Sequence, residues 1–314
     1  MNDSKGLVFD NDAIVSQRGL KISLDLKRPY AWLVEKEISA KGINEETGII
    51  FLSNKECSFK CLMCDLWKNT SDLPTPVGAI PEQIQWALSK MPPSKHLKLY
   101  NSGSFFDNKA IPQSDDQTIA NLVQGFETII VESHPNLIGD RCVRFKDMLN
   151  PDLEVAIGLE TVHREVLKKL NKKMTLEDFK KGVSFLTAHG IQSRAFILLR
   201  PPFMSESEGV YWAKRSIDFA FDCGVSSCTI IPVRGGNGAM EVLGSQGNFN
   251  PPGIKSLEEV HAYGLELKAG RVFSDLWDLE LFSDCSNCFE ERRSRLEKMN
   301  LQHQVTDELK CLCS

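Results

Sequence analysis

The sequence predicts an α/β fold built on parallel strands, with an appendage before it and a cysteine-bearing extension after it. Six apolar, β-branched runs carry that expectation: Gly48–Ser53, Leu97–Asn101, Thr128–Glu132, Leu153–Leu159, Arg194–Leu199 and Thr229–Val233. Each is a continuous apolar stretch instead of an alternation, as in strands covered on both faces. Helix-length segments separate them, and repeated strand–helix alternation argues for parallel βα units. The right-handed crossover rule then leaves a doubly wound sheet or a barrel, full or partial.

The intervening helices carry their own signals. Pro81–Lys90 opens with an early proline, and Asp116–Phe126 spaces apolar residues helically. Thr175–His189 starts on a Thr cap followed by Glu177 and Asp178 and ends at Gly190; Glu206–Cys223 ends at Gly224 in the same way. Residues 1–45 form an N-terminal extension, 46–240 the core and 241–314 a C-terminal extension. From Gly235 the glycines and prolines up to Gly253 mark a long loop before a helix over Ser256–Ala269. No fixed-period repeat or low-complexity tract interrupts the chain.

Composition narrows the class. With 314 residues and 42% hydrophobic content the chain can bury a large core. A net charge of −5 gives no overall field that recruits nucleic acid or anionic membrane, although a local basic groove stays open. No apolar run approaches the roughly 18 residues of a membrane helix, and residues 1–27 have no apolar signal region. The cytoplasm is the expected compartment, with no membrane partner; oligomeric state is not legible.

Ten cysteines are many for a reducing compartment, where metal binding or catalysis is a better reading than disulfides. They cluster at 57/61/64, 223/228, 285/288 and 311/313, with Cys142 alone. Cys142, Cys223 and Cys228 are expected in the core.

The segment Cys57-Ser-Phe-Lys-Cys61-Leu-Met-Cys64 follows the first predicted strand with the spacing C-x3-C-x2-C. Thiolates are the soft ligands of iron–sulfur clusters. Three of them can hold three corners of a cubane and leave the fourth iron open to a substrate-like molecule. The alternative is a zinc knuckle completed by a distant fourth ligand, a binding module without turnover.

This triplet resembles that of the radical S-adenosylmethionine superfamily, in its elongator and methylthiotransferase-like branch. The resemblance spans about residues 46–240. It implies a partial (β/α)6 barrel of TIM type, a [4Fe–4S] cluster on Cys57, Cys61 and Cys64, and S-adenosylmethionine on the open iron. It further implies reductive cleavage to a 5′-deoxyadenosyl radical that abstracts hydrogen from substrate. Met63 stands where the family usually has an aromatic ring, and its polarizable sulfur can pack on adenine.

Further motifs follow in register. Asn101-Ser102-Gly103-Ser104 stands where the family's Gly-Gly-Glu-like turn receives the methionine amino group. Val-Glu132-Ser-His134-Pro resembles a Glu-Thr-Arg-Pro turn, which sets Glu132 near the cofactor and leaves His134 as a structural or ligand-touching histidine. Glu160, in Ile-Gly-Leu-Glu-Thr, matches the ribose-binding glutamate. Arg200, in Leu-Arg-Pro-Pro-Phe, is the candidate for the methionine carboxylate, because a guanidinium fits a carboxylate bidentately. The backbone of Ile230–Gly236 is placed to meet adenine. The set is most similar to the archaeosine-synthase radical subunit and its bacterial relatives, which implies a small-molecule, nucleoside or transfer-RNA substrate and an electron donor of flavodoxin or ferredoxin type.

Beyond that region, Cys285, Cys288, Cys311 and Cys313 form two pairs able to hold zinc, a second cluster or another thiophilic species. An alternative chemistry follows from them: transfer of a 3-amino-3-carboxypropyl group from S-adenosylmethionine to an acceptor such as an arsenic species. Glu290–Asn300 is expected to be a charged amphipathic helix with Arg292, Arg293 and Arg295 on its solvated face.

Overall fold

The computed structural model describes residues 9–311 and residue 313; the first eight residues of the N-terminal extension lie outside the described residues. The chain begins with α1 (Asn11–Ser16) and an antiparallel hairpin of β1 (Ala31–Ile38) and β2 (Asn44–Phe51). Two short strands, β3 (Asn54–Lys55) and β4 (Thr70–Ser71), bracket the cysteine triplet. There follow α2 (Ala79–Leu88), β5 (His96–Tyr100), α3 (Asp116–Leu122), β6 (Thr128–Ser133), α4 (Asp140–Asp147) and β7 (Asp152–Glu160). Next come α5 (Arg164–Lys169), α6 (Leu176–Ala188), β8 (Gln192–Leu199), α7 (Glu206–Asp222) and β9 (Ser227–Pro232). The chain closes with α8 (Ala239–Ser245), α9 (Ile254–Glu266), β10 (Arg271–Ser274) and α10 (Phe289–Gln302).

The main sheet has the order β1-β2-β5-β6-β7-β8-β9-β10, parallel throughout except for the β1–β2 hairpin. It is curled. Arg271 on one edge strand reaches the Ile38 carbonyl on the other at 3.5 Å, and α10 packs against both β1 and β10. The architecture is therefore a partial TIM-type barrel whose seam is filled by a helix. The six expected strands fall on β2 and β5–β9. The sequence pattern did not reveal β1, whose charged, half-exposed alternation is that of an edge, or the four-residue β10.

Local signals explain the helices. Thr175 and Ser205 form capping boxes with Asp178 and Glu208, and Gly190 and Gly224 stop the helices with φ of +65° and +96°. Their apolar faces pack on the sheet in one large cluster with strands β5–β9. On the inner face sits a buried ionic layer. Arg194 pairs with Glu154 and Glu37 at 2.6 Å each, Lys98 with Glu35 at 2.8 Å, and Arg271 with Glu154 at 2.7 Å. Glu37 belongs to β1 and Arg271 to β10, so this layer also ties the two edges together.

Two expectations are corrected. The stretch read as a long loop contains α8, because Ala239, Met240 and Leu243 find a second apolar cluster with Phe9, Ile14 and Leu62. The arginines of α10 are not all solvated: Arg292 and Arg295 are 4% and 8% exposed. Glu258 of α9 supplies their counter-charge, and Arg295 also donates to the carbonyls of Thr306 and Asp307. Arg293 alone stays exposed, paired with Glu297. Cys142 and Cys228 are buried, as expected, and Cys223 is half-buried.

Candidate active site

The cysteine loop leaves the sheet after β3 and has no regular structure of its own, so other segments hold it. Leu62 is fully buried, and its amide donates to the Leu170 carbonyl at 2.9 Å. The Asn171 side chain donates to the Lys60 carbonyl at 2.7 Å, and Asn237 to the carbonyls of Leu62 and Cys64 at 2.7 and 3.2 Å. Phe59 stacks flat on His134, with centroids 3.6 Å apart. At the loop's base Glu56 accepts from Arg18 at 2.7 Å, Lys21 at 2.6 Å and Lys60. Burial alone would raise the Glu56 carboxyl; these cations outweigh it and bring the group down to about 2.

Cys57, Cys61 and Cys64 are free and half-buried. Burial pushes all three thiols up, Cys61 to about 12 and Cys64 further. They are stable as neutral thiols until a metal expels their protons. Their sulfurs do not all lie within 4.8 Å of one another. A single tetrahedral ion with bonds of about 2.3 Å draws thiolates to about 3.8 Å apart. The triplet is not gathered for a single ion, and three thiols on one loop are a donor set that suits an iron–sulfur cluster.

The turn after β5 closes on the loop. A Cβ on Gly103 would approach the Cys57 Cβ to 3.1 Å, so glycine provides the space for contact. Glu132, at the end of β6, accepts from the amides of Asn101 at 2.6 Å and Gly103 at 3.3 Å. Burial raises its carboxyl, and these amide bonds offset part of the rise. Ser104 Oγ accepts from the His134 amide at 2.7 Å, and Ser102 meets the Tyr30 hydroxyl at 3.2 Å. Asn101 is fully buried, yet both polar atoms of its side chain lack a partner. Such orphans are costly without a ligand, and here they line the turn read as the methionine-binding one.

His134 is satisfied on both sides: Nε2 donates to the Lys172 carbonyl at 2.8 Å and Nδ1 accepts from the Asn136 amide at 3.1 Å. Burial, then the Lys172 charge, pull it down to about 4, so the ring is neutral and structural. Glu160 sits at a bulge in β7 with φ +64° and pairs with buried Lys172. Gly158 makes room for the pair, since a Cβ there would collide with both partners. Burial alone would lower the Lys172 ammonium; Glu160, with Cys61 and Cys57 nearby, holds it above the ordinary lysine value.

Met63 is half-buried against the apolar cluster that anchors Leu62. Arg200 is engaged elsewhere: Nη1 donates to Glu206 at 2.5 Å and to the Pro251 carbonyl at 2.7 Å, and its buried Nε has no partner. Among the described residues, no hydrogen bond or ion pair joins Arg200 to the cysteine loop. The four C-terminal thiols are brought together, all within 4.8 Å of one another.

Asn171, Lys172, Asn237 and Tyr30 escaped the sequence reading. Asn171, Asn237 and Tyr30 lie far along the chain from what they hold, Lys172 lies 12 residues from Glu160, and none belongs to a motif.

A parallel half-barrel with three cysteines on the loop after its first parallel strand is the arrangement that the resemblance to the radical S-adenosylmethionine superfamily implies. The chain's relatives are particular. An archaeosine synthase subunit beta from Thermococcus kodakarensis is 30% identical over 210 residues, covering 64% of this chain and 64% of the relative. The subunit of the same name from Methanosarcina acetivorans is 25% identical over 232 residues, covering 70% and 67%. The chain thus spans about two thirds of these relatives' length. Among solved structures, the archaeal Elp3 of Methanocaldococcus infernus shares the fold, with a TM-score of 0.51 at 17% identity, covering 69% of this chain and 57% of that one. No family model matches the chain. No helix among the described residues is long and apolar enough to cross a membrane.

Proposed function

We propose that the chain is a radical enzyme in which Cys57, Cys61 and Cys64 hold a [4Fe–4S] cluster that binds S-adenosylmethionine, and that its substrate is a modified nucleoside, free or in transfer RNA. The observation that carries this reading is the wide cysteine triplet packed against a turn whose buried Asn101 has two unpartnered polar atoms. When bound, the group supplies a 5′-deoxyadenosyl radical for hydrogen abstraction, with the electron coming from a flavodoxin- or ferredoxin-type donor.

This chain's residues provide position and charge. Glu132 fixes the Asn101–Gly103 turn by taking its amides, which leaves the unpartnered Asn101 side chain to meet the methionine end of the cofactor. The Lys172 ammonium offsets the negative charge of the thiolates and orients Glu160, which accepts from ribose hydroxyls. Leu62 and Met63 keep water from the loop's apolar side. Arg200 takes the methionine carboxylate by exchanging it for Glu206. Residues 46–240 are the catalytic core, with extensions on either side.

A nucleobase is supported by an aromatic series at the open end of the sheet. Phe51 and Tyr100 end β2 and β5, with centroids 6.4 Å apart; Trp277 lies 6.1 Å from Phe51, and Phe196 lies 6.3 Å from Tyr100. All four keep solvent-facing surface, and planar rings stack on such faces. The names of the archaeal relatives agree with this class.

The test is anaerobic reconstitution with iron, sulfide, reductant and S-adenosylmethionine, followed by identification of the nucleoside released. The expected product is 5′-deoxyadenosine. Methylthioadenosine would redirect the reading to 3-amino-3-carboxypropyl transfer, and a colourless, zinc-only protein to a non-catalytic module.

A further inference from the structure

We propose that Cys285, Cys288, Cys311 and Cys313 hold one Zn²⁺ as a closed tetrahedral tetrathiolate, and that this ion locks α10 into the seam of the half-barrel. The inference is independent of the chemistry proposed for Cys57, Cys61 and Cys64.

Geometry selects the occupant. The four sulfurs lie within 4.8 Å of one another, with Cys288 to Cys313 at 3.6 Å and Cys285 to Cys311 at 4.0 Å. These two separations bracket the roughly 3.8 Å edge of a tetrahedron with zinc–sulfur bonds of about 2.3 Å. They far exceed a disulfide of about 2.05 Å. They are tighter than the arrangement of the first triplet, which a single ion does not fit. Four thiolates with no fifth donor make a closed, structural site.

The surroundings are those of a held sulfur. Cys288 caps the N-terminus of α10, a helix of 14 residues. Its sulfur accepts from Arg292 Nε at 3.3 Å, and Arg292 is itself anchored by Glu258 of α9. A fixed cation donating to a ligand sulfur stabilises the thiolate form and orients it. The tail is led to the site by Arg295, which donates to the Asp307 and Thr306 carbonyls at 2.8 and 2.9 Å. Yet no described residue from His303 to Cys313 is buried, so apolar burial does not hold the tail. A cross-link at its end does.

What the ion would secure is specific. α10 bonds to β10 at one edge of the sheet and to β2, the strand beside the other edge. Asn44 of β2 donates to the Leu301 carbonyl at 2.8 Å; Asn300 exchanges bonds with Ser274 at 2.8 and 2.9 Å; and His303 meets Val272 of β10. The first turn of α10, with Phe289 and Arg293, walls a cavity of about 350 Å³ together with Glu35 and Trp277. Trp277 is the outermost ring of the aromatic series at the mouth of the barrel.

The experiment uses the full chain, purified without oxygen. Metal analysis should find one zinc per chain in addition to cluster iron. Exchange with Co²⁺ should give the intense visible bands of a tetrahedral tetrathiolate. In Cys311→Ser/Cys313→Ser the zinc should be lost with iron retained, and hydrogen exchange across residues 289–311 should rise while that of β5–β8 is unchanged. The single variant Cys313→Ser, at an exposed end of the chain, should weaken Co²⁺ binding without altering the fold. The proposal is overturned if the reduced wild-type chain takes up neither Zn²⁺ nor Co²⁺, or if the double variant keeps its zinc. Cluster iron persisting in a Cys57/Cys61/Cys64→Ala triple variant would overturn it too, as would thiols that bind arsenite but refuse zinc.

Discussion

The two cysteine sites use the same donor atom and differ in everything that surrounds it. The first triplet sits on an irregular loop held by side chains from the segments after β6, α5 and β9, and its sulfurs are not gathered for one ion. The C-terminal four crowd together at the cap of a helix, with an arginine on one sulfur. Ligand type announces a metal; ligand spacing and the neighbouring polar groups decide which kind. Beside the first site, both polar atoms of the buried Asn101 side chain have no partner. The second site brings four sulfurs within 4.8 Å of one another.

The strongest break in this comparison is removal of the first triplet. Cys57→Ala with Cys61→Ala and Cys64→Ala should abolish cluster iron and cofactor cleavage while C-terminal zinc stays at wild-type level, measured by metal analysis of one sample. Exposure to air should divide the sites in the same direction. Iron absorbance decays, whereas zinc, which has no redox chemistry, remains.

Glu160 sharpens the contrast next. Glu160→Gln leaves the Lys172 ammonium buried without its counter-charge, which should cost about 3–5 kcal/mol in denaturant unfolding; adding Lys172→Met should recover part of it. Glu160→Ala should weaken S-adenosylmethionine binding with iron content intact, and unchanged affinity in an equilibrium titration would remove Glu160 from the site.

Acid sensitivity belongs to the first site. His134 is depressed to about 4 from an unfolded value near 6.5. The unfolded chain therefore takes its proton first, and folding stability falls as pH drops through that window, by about 3 kcal/mol in full. In His134→Phe, which keeps a ring against Phe59, unfolding curves collected from pH 7 to 4 should lose this contribution. A slope identical to wild type would assign the acid sensitivity elsewhere. The smallest effect is expected for Asn171→Gly. It keeps a residue that accepts φ of +54° but deletes the bond to the Lys60 carbonyl. It should cost about 1 kcal/mol and hasten iron loss.

Much of the core was legible because its signals are local. Continuous apolar runs such as Thr128–Glu132 mark strands buried on both faces, and the Thr175 and Gly190 pair marks a helix at both ends. Edges were harder to see. The alternating charges of Ala31–Ile38 look like surface until Lys98 of β5 and Arg194 of β8 meet Glu37 across the curl of the sheet. In the same way Arg292 and Arg295 look solvated until Glu258 is brought beside them.

By itself, the sequence determined which atoms can do chemistry: thiols at a spacing that one loop can present, and βα alternation that puts that loop at the carboxyl end of a parallel sheet. Only the tertiary structure decided how those atoms are used. It brought Lys172 to Glu160, tied Arg200 to Glu206, and folded Cys311 and Cys313 back onto Cys285 and Cys288. Such pairings join residues with no fixed separation in the chain. They depend on the curl of the sheet and on where buried charge finds its partner, which residue spacing does not encode.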